Sequence, residues 1–189
     1  MSARERILDA AAELMRTRGL AETTTRAIAQ EAGCSEALLY KNFSDKQHIF
    51  TAVLKERMPR LSAPDALIGE ATVAANLTSM VAELIAFYRE SFPIAASMLG
   101  SASLRAAHRE SVGRLGSGPD VPAQIVQRYI DGELAAGRIR ESTDSIAIAR
   151  LLTGAALFEA LQAAYSDDPL DDPQDLAHPI VAAALRGLQ

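Results

Sequence analysis

"GCSEALLYKNFSDK", residues 33–46, holds a helix too short and too polar to be an ordinary core helix. Gly33 closes whatever precedes it. Ser35 is placed as an N-cap, and Glu36 sits in the first turn, where a negative charge is favoured. Leu39 and Phe43 have the spacing of residues that point inward. That leaves Glu36, Ala37, Leu38, Tyr40, Lys41 and Asn42 with no apolar partner to seek, and poses the question of what they touch.

Working outward, the flanks are helical too. Upstream, "TTTRAIAQEAG" (23–33) reads as a second short helix with Thr24 as N-cap, Ile28 and Ala29 inward, and Gly33 at its end. Before it, "SARERILDAAAELMRTRGL" (2–20) opens with Ser2 and Glu5 as a capping box. It continues with Ile7, Leu8, Ala11, Leu14 and Met15 at helical spacing and stops at Gly19, with Leu20 folding back. Downstream, "SDKQHIFTAVLKERM" (44–58) is a fourth helix, with Ser44 and Gln47 as a second capping box and Pro59 beyond its end. Short helix, Gly-containing turn, short helix is the pattern of a helix-turn-helix. In that motif the second helix enters the major groove of DNA. The free face of residues 36–42 is therefore expected to touch DNA.

The stretch "RERILDAAAELMRTRGLAETTTRAIAQEAGCSEALLYKNFSDKQHIF" (4–50) resembles the DNA-binding region of the TetR family of transcriptional repressors. The resemblance rests on Ile7–Leu8 with Ala10–Ala11, Gly19–Leu20, Thr23–Thr24–Thr25, Ile28–Ala29, Ala32–Gly33, Ser35, Leu39–Tyr40, Phe43 and Lys46. It departs at Ala37, where many relatives have Gly, and at Asn42, where many have an imidazole. By this resemblance Thr25, Arg26, Tyr40 and Lys46 contact phosphate. Their hydroxyls and cationic groups suit that role. Glu36, Ala37, Leu38 and Lys41 are the candidates for base edges: Lys41 for a guanine, Glu36 for a cytosine amino group, Ala37 for a thymine methyl. Asn42 is expected to donate to a phosphate. Cys34 reads as a small buried turn residue.

Charge alone does not make this argument. The 189 residues carry a net charge of −5, but residues 1–60 hold 10 Lys/Arg against 8 Asp/Glu. Residues 61–189 hold 9 against 16. With 49% hydrophobic residues the chain can bury a sizeable core. One cysteine excludes an internal disulfide framework. The N-terminus is charged from Arg4 onward, which speaks against a signal peptide. No run approaches 18 uninterrupted apolar residues, so a soluble, cytoplasmic protein is expected.

Beyond residue 60, longer helices are expected over about 68–91, 94–112, 122–137, 144–166 and 175–188. A Gly- and Pro-rich loop, "GRLGSGPDVP" (113–122), falls between the second and third of them, and an acidic, Pro-broken loop, "SDDPLDDPQD" (166–175), between the last two. The fold class is thus all-α with about nine helices. Residues 1–47 form a three-helix helix-turn-helix domain and 48–189 a helical ligand-binding and dimerisation domain. Met80, Leu84, Phe87, Tyr88, Met98 and Phe158 are candidates for an apolar effector pocket with Tyr165 nearby; Glu83, Arg105 and His108 are weaker polar candidates. "DSIAIARLLTGAALFEALQAAY" (144–165) is apolar around much of its circumference. With "DLAHPIVAAALRGLQ" (175–189) it is expected to form a four-helix interface in a homodimer, Gly154, Ala155 and Ala156 allowing close approach.

His48, His108 and His178 lack metal-ligand spacing, so no metal and no cofactor is expected. No catalytic motif is present, which disfavours an enzyme. The expected function is a ligand-responsive repressor that binds a palindromic operator as a dimer and is released by a small, largely apolar effector. The partners are double-stranded DNA, the effector and a second copy, with no membrane. The fourth helix, with Lys46 at one end, is the expected lever. Activator or dual regulator is the variant reading; an adaptor or an enzyme is the distant one.

Overall fold

The computed structural model describes residues 1–100, 102, 105, 106, 109, 118–166 and 171–186. Among these residues there are eight α-helices, one short 3-10 helix and no strand. The helices are α1 (Ala3–Glu22), α2 (Thr25–Glu31), α3 (Glu36–Asn42), α4 (Lys46–Glu56), α5 (Val73–Leu99), α6 (Val121–Ala135), α7 (Ser145–Tyr165) and α8 (Pro173–Arg186); the 3-10 helix is Pro64–Ala66. The chain divides into two compact units. One comprises Met1–Met58 with Glu90–Gly116, the other Pro59–Arg89 with Ser117–Gln189.

In the first unit, local chemistry sets the helix ends. Ser2 and Glu5 form the capping box: Glu5 N–H donates to Ser2 Oγ and Ser2 N–H to a Glu5 carboxylate oxygen. That second bond holds the Glu5 carboxyl below its usual range. Gly19 adopts φ +72° and ψ 171°, a region essentially reserved for glycine, and interrupts α1 there. The α2–α3 turn is a Schellman motif. Cys34 N–H donates to Ala29 C=O, Gly33 N–H to Gln30 C=O, and Gly33 sits at φ +62°. The α4 cap differs from expectation. Asp45, not Ser44, accepts from His48 N–H, and Ser44 Oγ donates to Asp45. A carboxylate one residue later out-competes the hydroxyl because a charged acceptor makes the stronger bond.

α4 runs antiparallel to α1. Arg4 near the start of α1 forms a two-pronged pair with Glu56 at the end of α4, and Lys46 at the start of α4 reaches Leu20 at the end of α1. Arg57 pairs with Asp9 alongside. Exposed pairs of this kind contribute little each. The unit is held by its core of Ile7, Leu8, Leu14, Met15, Ile28, Leu39, Phe43, Ile49, Phe50, Val53 and Ile94.

The second unit has its own core, from Leu77, Val81, Leu84 and Ile85 on α5, Val126, Tyr129 and Ile130 on α6, Leu152 and Ala156 on α7, and Val181 on α8. The segment before α5 is not helical to residue 68 as expected. It is pinned to α6 by a buried polar network. Asn76 Nδ2 donates to Leu67 C=O, Glu70 C=O and Tyr129 Oη. The fully buried Glu133 accepts from Gly69 N–H and pairs with Arg138. Burial pushes the Tyr129 hydroxyl up to about 12. Ile68 lies so close to α6 that a Cβ on Gly132 would stand 2.2 Å from its Cδ1.

The expected break at Pro93 does not occur: α5 runs unbroken from 73 to 99 with Pro93 inside it. A proline inside a helix costs roughly 3 kcal/mol. Ile94, on the turn that carries Pro93, is buried in the first core, and full burial of such a side chain contributes about 1.5–3 kcal/mol against that cost. The expected helix over 94–112 therefore begins as the end of α5, and much of the remainder, including His108, lies outside the described residues.

Candidate nucleic-acid interface

α3 is docked by one side only. Leu39 and the cap residue Phe43 are buried, while Glu36, Ala37, Tyr40 and Lys41 are exposed. Ser35 Oγ accepts from Leu38 N–H at the N-terminus, and Asn42 Nδ2 donates back to Leu38 C=O at the other end. A seven-residue helix cannot hold itself in water. These caps and two buried side chains fix it, so its outer face is a preset surface rather than one that orders on contact.

Three of the expected DNA-contacting residues share a chain of hydrogen bonds. Tyr40 Oη donates to Thr25 Oγ1 at 3.3 Å, and Thr25 Oγ1 donates to Glu36 Oε2 at 3.3 Å. The chain links the start of α2 to both turns of α3. Tyr40 is 50% exposed, so its hydroxyl remains reachable from solvent. Arg26 projects from α2 and is exposed, as is Lys41. Leu38 and Asn42 are half-buried. Asn42's amide is engaged within α3, so a phosphate contact from it uses its second N–H.

Lys46 points differently from a free surface lysine. Its ammonium donates to Leu20 C=O at 3.4 Å and lies 5.0 Å over the Phe50 ring. Burial lowers its pKa. Cys34, expected to be buried, is only half-buried against the core. The sequence reading missed Arg6, whose Nε donates to Ala32 C=O in the helix-turn-helix turn. Its place on the first turns of α1 gave no signal of that contact.

The expected effector residues are dispersed. Met80 and Leu84 are buried in the second core, lining a crevice with Leu61, Ser62, Glu83, Ile125 and Val126 that is too tight for a water molecule. Glu83 accepts there from Ser62 N–H and Ser62 Oγ. Phe87 and Tyr88 are half-buried and in edge contact with each other. Met98, in contrast, packs on the first unit's core, and Phe158 is 54% exposed on α7. Their sequence spacing brought them into one list because each lies on an apolar helix; the packing separates them. Arg105 donates to Leu99 C=O.

α7 carries two apolar faces. Ile148, Leu152, Ala156 and Ala160 are buried, while Ile146, Leu151, Leu157, Phe158, Leu161 and Tyr165 are exposed. Gly154 lies on the open side with nothing within 4 Å of its would-be Cβ; Ala156 is on the buried side. By length and composition this helix is also apolar enough to cross a membrane, even with Arg150 and Glu159 interrupting its apolar runs.

Comparison with known proteins agrees with this geometry. Residues 7–53 match the family described as bacterial regulatory proteins, tetR family. An uncharacterized HTH-type transcriptional regulator of Bacillus subtilis, YvkB, is 44% identical over 52 residues, which are 28% of this chain and 28% of that protein. Three solved structures match nearly end to end. FadR from Bacillus subtilis in complex with stearoyl-CoA has a TM-score of 0.72 at 19% identity, covering 98% of this chain and 99% of that one. PfmR, a TetR-family regulator from Thermus thermophilus, has 0.70 at 23% identity, covering 97% and 99%. A TetR-like regulator from Rhodococcus sp. RHA1 has 0.66 at 22%, covering 98% and 96%. At these identities the structural likeness speaks for the fold, and the specific sequence match is confined to the helix-turn-helix. Residues 7–53, from α1 to α4, thus match the tetR family of bacterial regulatory proteins, and the chain as a whole has the fold of solved TetR-family transcriptional regulators.

Proposed function

We propose that the protein is a ligand-responsive transcriptional regulator, a repressor that binds a palindromic operator as a homodimer. The observation that carries this reading is α3: a capped, core-anchored helix whose exposed face offers Glu36, Ala37, Tyr40 and Lys41 within a tetR-family helix-turn-helix. Thr25, Arg26, Tyr40, Asn42 and Lys46 supply phosphate contacts; Glu36, Ala37, Leu38 and Lys41 face base edges. Residues 1–47 hold these contacts and 48–189 the dimer and effector functions. The exposed apolar face of α7 supports the dimer, since a contiguous apolar surface of this kind is stabilised by a matching one. A single helix-turn-helix covers too little DNA for tight specific binding, which is a second reason for pairing.

The effector is a small, largely apolar molecule that weakens operator binding. Support comes from the apolar lining at Met80, Leu84, Phe87 and Tyr88, and from FadR, a protein of like fold solved with stearoyl-CoA. With the Met80–Leu84 crevice closed, effector entry has to open it. An effector preferring the opened state 100-fold shifts the population by about 2.7 kcal/mol.

The test is selection from random duplexes, followed by binding with and without candidate acyl compounds. Enrichment of a two-fold-symmetric sequence, with half-sites about one helical turn or a multiple apart, is expected. Recovery of no sequence preference at moderate salt refutes operator recognition. An effector that tightens the complex makes the protein a co-repressor-dependent regulator instead.

A further inference from the structure

The interruption of α1 at Gly19 leaves a donor to be satisfied. With φ +72° at Gly19 the helical ladder is broken, and Leu20 N–H turns to another element. It donates to Ser97 Oγ on α5 at 2.9 Å. The carbonyl of the same residue accepts from Lys46 Nζ. Leu20 is thus a two-sided bridge, with a hydroxyl on one side and the ammonium of a candidate phosphate contact on the other. Its side chain is buried in the first core, which holds the bridge in place. The approach is close: a Cβ on Gly19 would stand 2.8 Å from Ser97 Oγ and 3.1 Å from Ser97 Cβ. Only a glycine at 19 lets Ser97 come this near. Ser97 lies outside the segment that matches the tetR family.

Lysine is a poor phosphate ligand when loose, because ordering its long side chain costs rotamer entropy. Here that ordering is already done. An ammonium has three donors; with one on Leu20 C=O and the nitrogen 5.0 Å from the Phe50 ring centroid, two are left for a phosphate. We propose that Ser97 is a positioning residue for DNA binding: by fixing Leu20 it fixes the point from which Lys46 presents its remaining donors to the backbone. This rests on the reading of Lys46 as a phosphate contact. It also means that a shift of the last turns of α5 changes DNA affinity without any change at the DNA-facing helices.

The experiment uses the full chain and a mixed-sequence duplex, because a phosphate contact is independent of sequence. Binding is followed by fluorescence anisotropy over a salt series for wild type, K46M, S97A, S97T and S97A/K46M. K46M should weaken binding and reduce the slope of log K against log salt by about one unit. S97A should reproduce part of both effects, and S97T, which keeps the hydroxyl, should stay near wild type. The double variant should bind no more weakly than K46M alone. If S97A leaves binding unchanged, weakens it with the slope intact, or adds fully to K46M, the proposal is overturned. A K46M variant indistinguishable from wild type removes the Lys46 contact and this proposal with it. The DNA-binding reading then still stands if the wild type binds and R26A, at another candidate phosphate contact, binds more weakly. Should S97A fold poorly, hydrogen exchange at the Leu20 amide of the wild-type protein decides: a protected amide supports the bridge and a fast-exchanging one overturns it.

Discussion

α3 and α7 both leave a face uncovered, and the two faces are opposite in kind. α3 is seven residues long and exposes a carboxylate, a phenol and an ammonium. α7 is twenty-one residues long and exposes Leu151, Leu157, Phe158, Leu161 and Tyr165. The first is stable only because Leu39 and Phe43 anchor it and Ser35 caps it; its outer face costs nothing to leave wet. The second buries one apolar face in the core and leaves another in water, which is unfavourable at roughly 25 cal/mol per Å². Such a face is explained by a partner, and a polar face of preset geometry by a polar polymer. On the proposed function, one chain separates recognition of DNA from recognition of itself by the chemistry of two helices.

The comparison breaks most visibly at α7. Replacing Leu157 and Phe158 by Glu should turn a dimer into a monomer in light scattering, costing about 3 kcal/mol or more of association, and operator affinity should fall with it. A wild-type protein already monomeric at micromolar concentration removes the dimer reading. On the other side, Leu39→Ala takes away the anchor under the reading face. Loss of a fully buried leucine lowers stability by about 2–5 kcal/mol, measurable by denaturant unfolding, and the first unit should melt first. Lys41→Ala leaves the fold untouched and should change preference at one base pair by about 1–3 kcal/mol. Uniform weakening across operator variants would reassign Lys41 to phosphate.

Two smaller effects sharpen the account of how the helices are fixed. Gly33→Ala meets no atom but must hold φ +62°, which costs about 1–2 kcal/mol in thermal unfolding. The N-cap Asp45 has its carboxyl held below the usual range, first by the His48 N–H bond and then by Ser44. A depressed carboxyl stabilises the fold above its unfolded pKa of about 4, and the contribution is lost as pH falls through the lower folded value. Asp45→Asn keeps an acceptor but cannot titrate, so wild type should lose more of its thermal midpoint than the variant between pH 6 and pH 3. Equal losses would show that Asp45 carries none of the acid sensitivity.

Much of the first unit was legible because its signals are local. A hydroxyl three residues before a free N–H, a glycine where the chain must turn left-handed, and apolar residues at a period of 3.6 each act within one or two turns. Ser2, Thr24, Gly33 and Ser35 do what their neighbours in sequence imply. The Asp45 cap was misread because two acceptors stood side by side and only their relative strength separates them. The placement of the candidate effector residues was less legible. Met98 and Phe158 are as apolar as Met80 and Leu84, and apolarity alone does not say which core, or which outer face, a side chain joins.

By itself the sequence determined the helical class, the helix-turn-helix and which side of α3 faces out, because each follows from short-range periodicity and capping. Tertiary structure decided the rest. It carried α5 through Pro93, with Ile94 on the same turn buried in the first core. It bound Glu133 and Asn76 into a buried network across residues 67–138. It brought Ser97 to Leu20 across 77 positions. Contacts between residues so far apart are set by how helices pack, and packing depends on every side chain in the interface at once.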